Sequence, residues 1–201
     1  EAMTQSLLLD GKRCMGIAYK KGGSTVEARC AKEVILSAGA IGSPQILELS
    51  GIGRPELLQG HGIAVNHELS GVGENFQDHM LSRAQWKITD PEASYNGTAR
   101  GLRMLGQILR YATTGGGFLS LPAACMAAWA KTRPELETPD VQMQFVPYSV
   151  GALKRRKVHP FPGMAAACFQ LRPQSVGTIH IRSPDAREQP AIRFNFLDAA
   201  V

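Results

Sequence analysis

Gly39-Ala40-Ile41-Gly42-Ser43-Pro44-Gln45-Ile46-Leu47-Glu48-Leu49-Ser50-Gly51-Ile52-Gly53 is the stretch on which the fold turns. It opens on small residues. Ser43-Pro44 then reads as an N-cap followed by a proline at the first helical position. Gln45 to Leu49 continues as a short helix, and Ser50-Gly51-Ile52-Gly53 stops it. Just upstream, Glu33-Val34-Ile35-Leu36-Ser37 has the continuous apolar centre of a strand buried on both faces, as in a parallel sheet. That order puts the turn at the C-terminal edge of a strand, where open α/β sheets bind cofactors. Ala38, Gly39 and Ala40 carry side chains too small to keep a ligand away.

Working outward, the first third reads as strands. Ser6 to Leu9 is short and apolar, and Asp10-Gly11 is a hairpin signal. Cys14 to Tyr19 returns, Lys20-Lys21-Gly22-Gly23 turns again, and Thr25 to Cys30 alternates like a half-buried strand, giving a three-stranded meander. A second short helix is expected from Pro55 to Gln59, and Val72 to His79 is a glycine-led polar segment. After about Met80 the chain changes character. Gly101 to Thr113 carries Leu102, Leu105, Leu109 and Ala112 at helical spacing, with Arg103 and Arg110 off that stripe. Strand-like runs follow at Val141–Val146, Met164–Leu171, Gly177–Arg182 and Ala191–Phe196. The expected fold is therefore α/β plus α+β: a Rossmann-like part in residues 1–80, then an antiparallel-sheet part in residues 81–201.

Composition agrees with a folded chain. The 201 residues are 44% hydrophobic and 19% charged, ordinary globular usage that excludes collagen and disorder. No apolar run reaches the length of a membrane-spanning helix. Cys14, Cys30, Cys125 and Cys168 are widely spaced and form no metal or disulfide pattern, and no histidine pair has metal spacing, so no metal is expected. The net charge of +5 is uneven. Acidic residues slightly outnumber basic ones up to residue 80, and the excess lies beyond it, densest at Lys154-Arg155-Arg156-Lys157. That run has no aromatic residue within it for base stacking and reads as a solvated loop, not a nucleic-acid site.

The quoted stretch resembles the second signature of the glucose–methanol–choline (GMC) family of flavin oxidoreductases. Gly39, Ala40, Ser43, Pro44, Ile46, Leu47, Ser50, Gly51, Ile52 and Gly53 fill its constrained positions. Leu69-Ser70-Gly71-Val72-Gly73-Glu74-Asn75-Phe76-Gln77-Asp78-His79 is similar to that family's GVGxNxQDH segment. Arg172 to Ser175, Ile181 to Asp185 and Pro190 to Ile192 resemble its later strands. The resemblance implies that residues 1–80 belong to an FAD-binding domain and residues 81–201 to a substrate domain. It places Ser37, Ala38 and Gly39 near the adenosine end of FAD, and Met3 against adenine through its main chain.

The implied chemistry is oxidation of a small alcohol, choline-like or another primary alcohol, to an aldehyde, with hydride passing to the flavin; the electron acceptor is left open. The family's N-terminal GxGxxG turn and its C-terminal His-Trp motif are not found here, so the resemblance implies an internal portion of a longer enzyme with no catalytic residue of its own. Among the histidines, His61, His67 and His159 read as loop residues, and His79 as a structural partner beside Asp78. His180 lies in a strand and faces either solvent or a cleft. Phe145, Tyr148 and Phe169 are candidates for lining a substrate cleft, although core packing is the better explanation for aromatics on strands. Asn96-Gly97-Thr98 fits a glycosylation sequon. Two other readings remain: a basic binding module without catalysis, and a degenerate family member with a structural role.

Overall fold

The computed structural model describes residues 2–122, 124–151 and 157–199. The chain divides into two compact units, residues 1–78 with 174–201, and residues 79–173. The last segment thus packs with the first unit, whereas the sequence reading grouped it with everything after residue 80.

In the first unit, β1 (Ala2–Asp10), β2 (Arg13–Lys21) and β3 (Ser24–Arg29) form the expected antiparallel meander. Asp10 pairs with Arg13 and Lys21 with Ser24, so each hairpin closes through a two-residue turn, Gly11-Lys12 and Gly22-Gly23. The segment Glu33–Ser37 departs from expectation. It forms no strand, and Ile35 is 80% exposed. An apolar run becomes a buried strand only when neighbours pair with it, and none does among the described residues.

Helix α1 (Gly39–Leu49) begins earlier than its sequence implied. Ala38 is its N-cap, and Gly39 takes φ +79°, a region that favours glycine. Ser43 is therefore inside the helix, where its Oγ accepts the Ala38 N–H at 3.1 Å. Pro44 is interior too and removes one i→i−4 bond. The end of the quoted stretch ties elements together. Ser50 Oγ donates to the Ile46 carbonyl at 2.5 Å and accepts the Leu7 N–H at 2.8 Å, joining α1 to β1. β4 (Ile52–Gly53) pairs in parallel with β5 (His67–Glu68), and α2 (Pro55–Gly60) lies between them, starting on its proline as expected. The buried apolar residues here are Leu58, Val72, Ile179, Ile181 and Ala186.

In the second unit, β6 (Leu81–Lys87), β7 (Met126–Ala130), β8 (Val141–Val146) and β9 (Gly163–Gln170) make one antiparallel sheet in the order β6-β9-β8-β7. The remaining strands, β10 (Thr178–His180) and β11 (Ala191–Arg193), pair with each other in the first unit, so the later strand runs do not share one sheet. Helix α3 (Gly101–Thr114) forms as its periodicity predicts, but none of its residues is buried, and Leu102 is 86% exposed. In the connection between β7 and β8, Thr132 donates to Asp140 from its N–H at 2.8 Å and from its hydroxyl at 2.5 Å, holding that carboxyl below the usual carboxylate range.

Buried polar groups close the second unit. Asn96 is 1% exposed. Its Nδ2 donates to the Ser149 hydroxyl and to the carbonyls of His159 and Phe161, and its Oδ1 accepts the Ser149 N–H. An amide so engaged is sterically closed to a glycan in the folded protein. His159, expected to be a plain loop residue, stacks on Phe161 at 4.7 Å and meets Ser149 Oγ at 3.0 Å.

Candidate functional site

Two stretches far apart in sequence wall one cleft of about 730 Å³ in the first unit. One wall is α1, with Ala40, Ser43, Pro44 and Leu47. The other is the loop Gly71–Gln77, which starts from Leu69. Ile179 of β10 forms part of the lining. Most of the lining is small or apolar; Glu74, Asn75 and Gln77 supply its longer polar side chains.

The walls are held in register by the backbone. Gly177 and Phe76 exchange two hydrogen bonds at 2.7 and 3.0 Å, and the Ile179 N–H donates to the Gly73 carbonyl at 2.7 Å. Behind the cleft lies a charged cluster. Glu48 of α1 is 0% exposed. Its Oε1 is 2.6 Å from His180 Nδ1, and its Oε2 accepts the Ile181 N–H at 2.8 Å. The other ring nitrogen, His180 Nε2, is 3.2 Å from Glu74 Oε1, which is also paired with Arg54 Nη2. Arg54 Nη2 lies 3.4 Å from His180 Nε2. A buried carboxylate needs such partners, since an unpaired charge away from water is strongly disfavoured.

The sequence did not single out Glu48 or Glu74, and left His180 undecided between solvent and cleft. The one visible signal was Glu48 as the single charged residue of α1, two positions before the Ser50-Gly51 stop.

Of the residues singled out beforehand, Ser37, Ala38 and Gly39 are exposed and lie immediately before Ala40 at the cleft's α1 wall. Met3 lies elsewhere, on β1, lining a separate cleft of about 560 Å³ with Lys20, Gly22, Gly23 and Arg187. The described geometry therefore does not bring Met3 and Gly39 into one cavity. β1 is an edge strand, and the Met3 carbonyl accepts from Gln5 Nε2 at 3.4 Å. Phe145 and Phe169 do not share a wall. Phe169 stands opposite Gln142 and Phe145 opposite Ala166, and residues 142 and 145 alternate to opposite faces of the sheet. Tyr148 is half-buried just beyond β8. Within the basic run, Lys154, Arg155 and Arg156 lie outside the described residues. No group of three or more metal-ligating side chains is found among the described residues, and no described helix is long and apolar enough to cross a membrane.

Residues 1–81 match the family model described as GMC oxidoreductase. The chain is 37% identical to the oxygen-dependent choline dehydrogenase of Ectopseudomonas mendocina over 98% of its own length, and 38% identical to that of Pectobacterium atrosepticum over 98%. It spans 35% of each of those relatives. Among solved structures, a variant of Aspergillus oryzae formate oxidase, studied for its FAD modification, superposes with TM-score 0.89 at 21% identity, covering 98% of this chain and 39% of that one. Pyridoxine 4-oxidase from Mesorbium loti superposes with TM-score 0.75 at 17% identity, covering 98% and 35%. These likenesses carry the mixed α/β fold. Residues 1–81 thus carry a GMC oxidoreductase domain, and the motif segment in α1 and the one in the loop Gly71–Gln77 line one cleft of the first unit.

Proposed function

We propose that this chain is part of an FAD-dependent oxidoreductase that oxidises a small alcohol, choline-like or another primary alcohol, to an aldehyde by hydride transfer to flavin. The observation that carries this reading is the shared cleft. The two segments that resemble flavin-family motifs, Gly39–Gly53 and Leu69–His79, both contribute to the lining of one cavity, through Ala40 to Leu47 and Leu69 to Gln77. The choline dehydrogenase relatives support the substrate class.

The residues present fit part of an FAD. Small side chains and glycines leave room along both walls, and the first turn of α1 presents amides suited to a phosphate. In this reading Ser37, Ala38 and Gly39 flank the adenosine end, and the Met3 main chain, on an edge strand, receives adenine. The loop Gly71–Gln77 excludes water from its side of the cofactor and fixes its position. The flavin, when bound, accepts the hydride. The second unit, residues 79–173, is proposed to serve the substrate side. The base that takes the hydroxyl proton is not assigned to any residue of this chain.

The test is spectroscopic. The complete gene product should carry flavin absorbance near 450 nm (about the usual position for an oxidised flavin), and anaerobic addition of choline or another primary alcohol should bleach it. A complete gene product that takes up no FAD, or whose flavin no alcohol reduces, contradicts the proposal.

A further inference from the structure

The geometry points to His180 as a positioning residue: a doubly protonated imidazole, set between Glu48 and Glu74, that staples helix α1 to the loop Gly71–Gln77 and so fixes the cleft between them. The inference rests on the reading of that cleft as an FAD site.

The argument begins with donors and acceptors. Both ring nitrogens of His180 face carboxylate oxygens, Nδ1 at 2.6 Å from Glu48 and Nε2 at 3.2 Å from Glu74. An ionised carboxylate only accepts, and a neutral imidazole has a single N–H to donate. Donating to both carboxylates takes the imidazolium; a neutral ring would keep Nδ1–H on Glu48 and turn Nε2 into an acceptor for Arg54 Nη2, at 3.4 Å the longer of the two Nε2 contacts. Charge counting agrees. The groups facing the ring are Glu48 from α1, Glu74 from the loop and Arg54 from the start of α2. Two carboxylates and one guanidinium leave one negative charge, which the imidazolium cancels. Arg54 opposes protonation of the ring from 3.4 Å, but its direct pairing with Glu74 spends its charge there.

Position does the rest. Glu48 is fixed, since its second oxygen is held by the Ile181 N–H. Glu74 sits within the cleft lining itself. A bond from the fixed side to the lining side, through a half-buried ring, sets how far the loop stands from α1. His180 does not line the cleft, so it acts through Glu74 and not on the ligand.

The test uses the complete gene product with ¹⁵N-labelled histidine. At neutral pH both His180 ring nitrogens should show directly bonded protons, and Glu48→Gln should leave only one, because a glutamine amide donates to Nδ1. His180→Gln should weaken FAD affinity about tenfold, the loss of one charge-assisted bond between the walls. The flavin-saturated variant should keep its kcat within about twofold, since the chemistry is untouched. Should His180→Gln fail to fold, Glu74→Gln carries the same affinity comparison from the more exposed end. A singly protonated His180 ring, or an unchanged FAD affinity in both variants, overturns the proposal. Wild-type protein that binds no FAD removes the cofactor reading, and the ring-nitrogen signals then still decide the protonated clamp.

Discussion

Replacing Gly73 by alanine is expected to destabilise the first unit by more than about 4 kcal/mol, among the largest effects a single substitution produces. Two causes add. Gly73 has φ +76°, where an L-residue with a Cβ is disfavoured by about 1–2 kcal/mol. The new Cβ would also fall on the Ile179 carbonyl oxygen and come within 2.7 Å of His180 Nδ1. Neither neighbour can yield cheaply. Ile179 is buried and its own N–H is bonded to the Gly73 carbonyl, and His180 is held from both sides. The loop must separate from β10, and one wall of the cleft goes with it. Gly71→Ala is the control. It lies in the same loop, its Cβ meets nothing within 4 Å, and its φ is not positive, so it should change stability by less than about 0.5–1 kcal/mol. Urea unfolding followed at first-unit signals compares the two. Equal costs would mean that the close approach at Gly73 is not what holds the loop.

Glu48→Leu is the second large effect, expected at about 3–5 kcal/mol. Leucine roughly conserves volume, so little of the loss is a cavity. What is lost is an acceptor pair. The Ile181 N–H and His180 Nδ1 are left facing a hydrocarbon, and the charge on the ring loses its buried partner. Glu48→Gln should cost far less, about 1–2 kcal/mol, because its carbonyl still accepts from Ile181 while its amide faces the ring. The same unfolding measurement reads both. A leucine variant as stable as the wild type would show that the carboxylate is not needed.

The helix in the quoted stretch was legible because several of its residues bond at short range. Ser50 bonds back to Ile46, and Ser43 to Ala38. The meander was legible for the same reason, since its turns fall on glycines that suit them. What escaped was non-local. Glu48 and His180 are 132 positions apart, and nothing along the chain says that a helix glutamate will be buried against a later strand. β6 has no run of β-formers, with Arg83 and Lys87 in it, and β7 is rich in alanine; both become strands by pairing with β9 and β8. Glu33–Ser37 is the converse, a strand-like composition without a pairing partner among the described residues. The candidate site was thus half readable: its small-residue wall stood in the motif, and the charged cluster behind it did not.

Hydrogen exchange on the complete gene product, with and without FAD, tests the central claim most directly, because it reads both walls of the cleft at once. FAD should slow exchange of the amides in residues 39–47 and 69–77 together, as a ligand held between those segments would. Protection confined to other parts of the chain, with both segments exchanging as in the FAD-free protein, would contradict it.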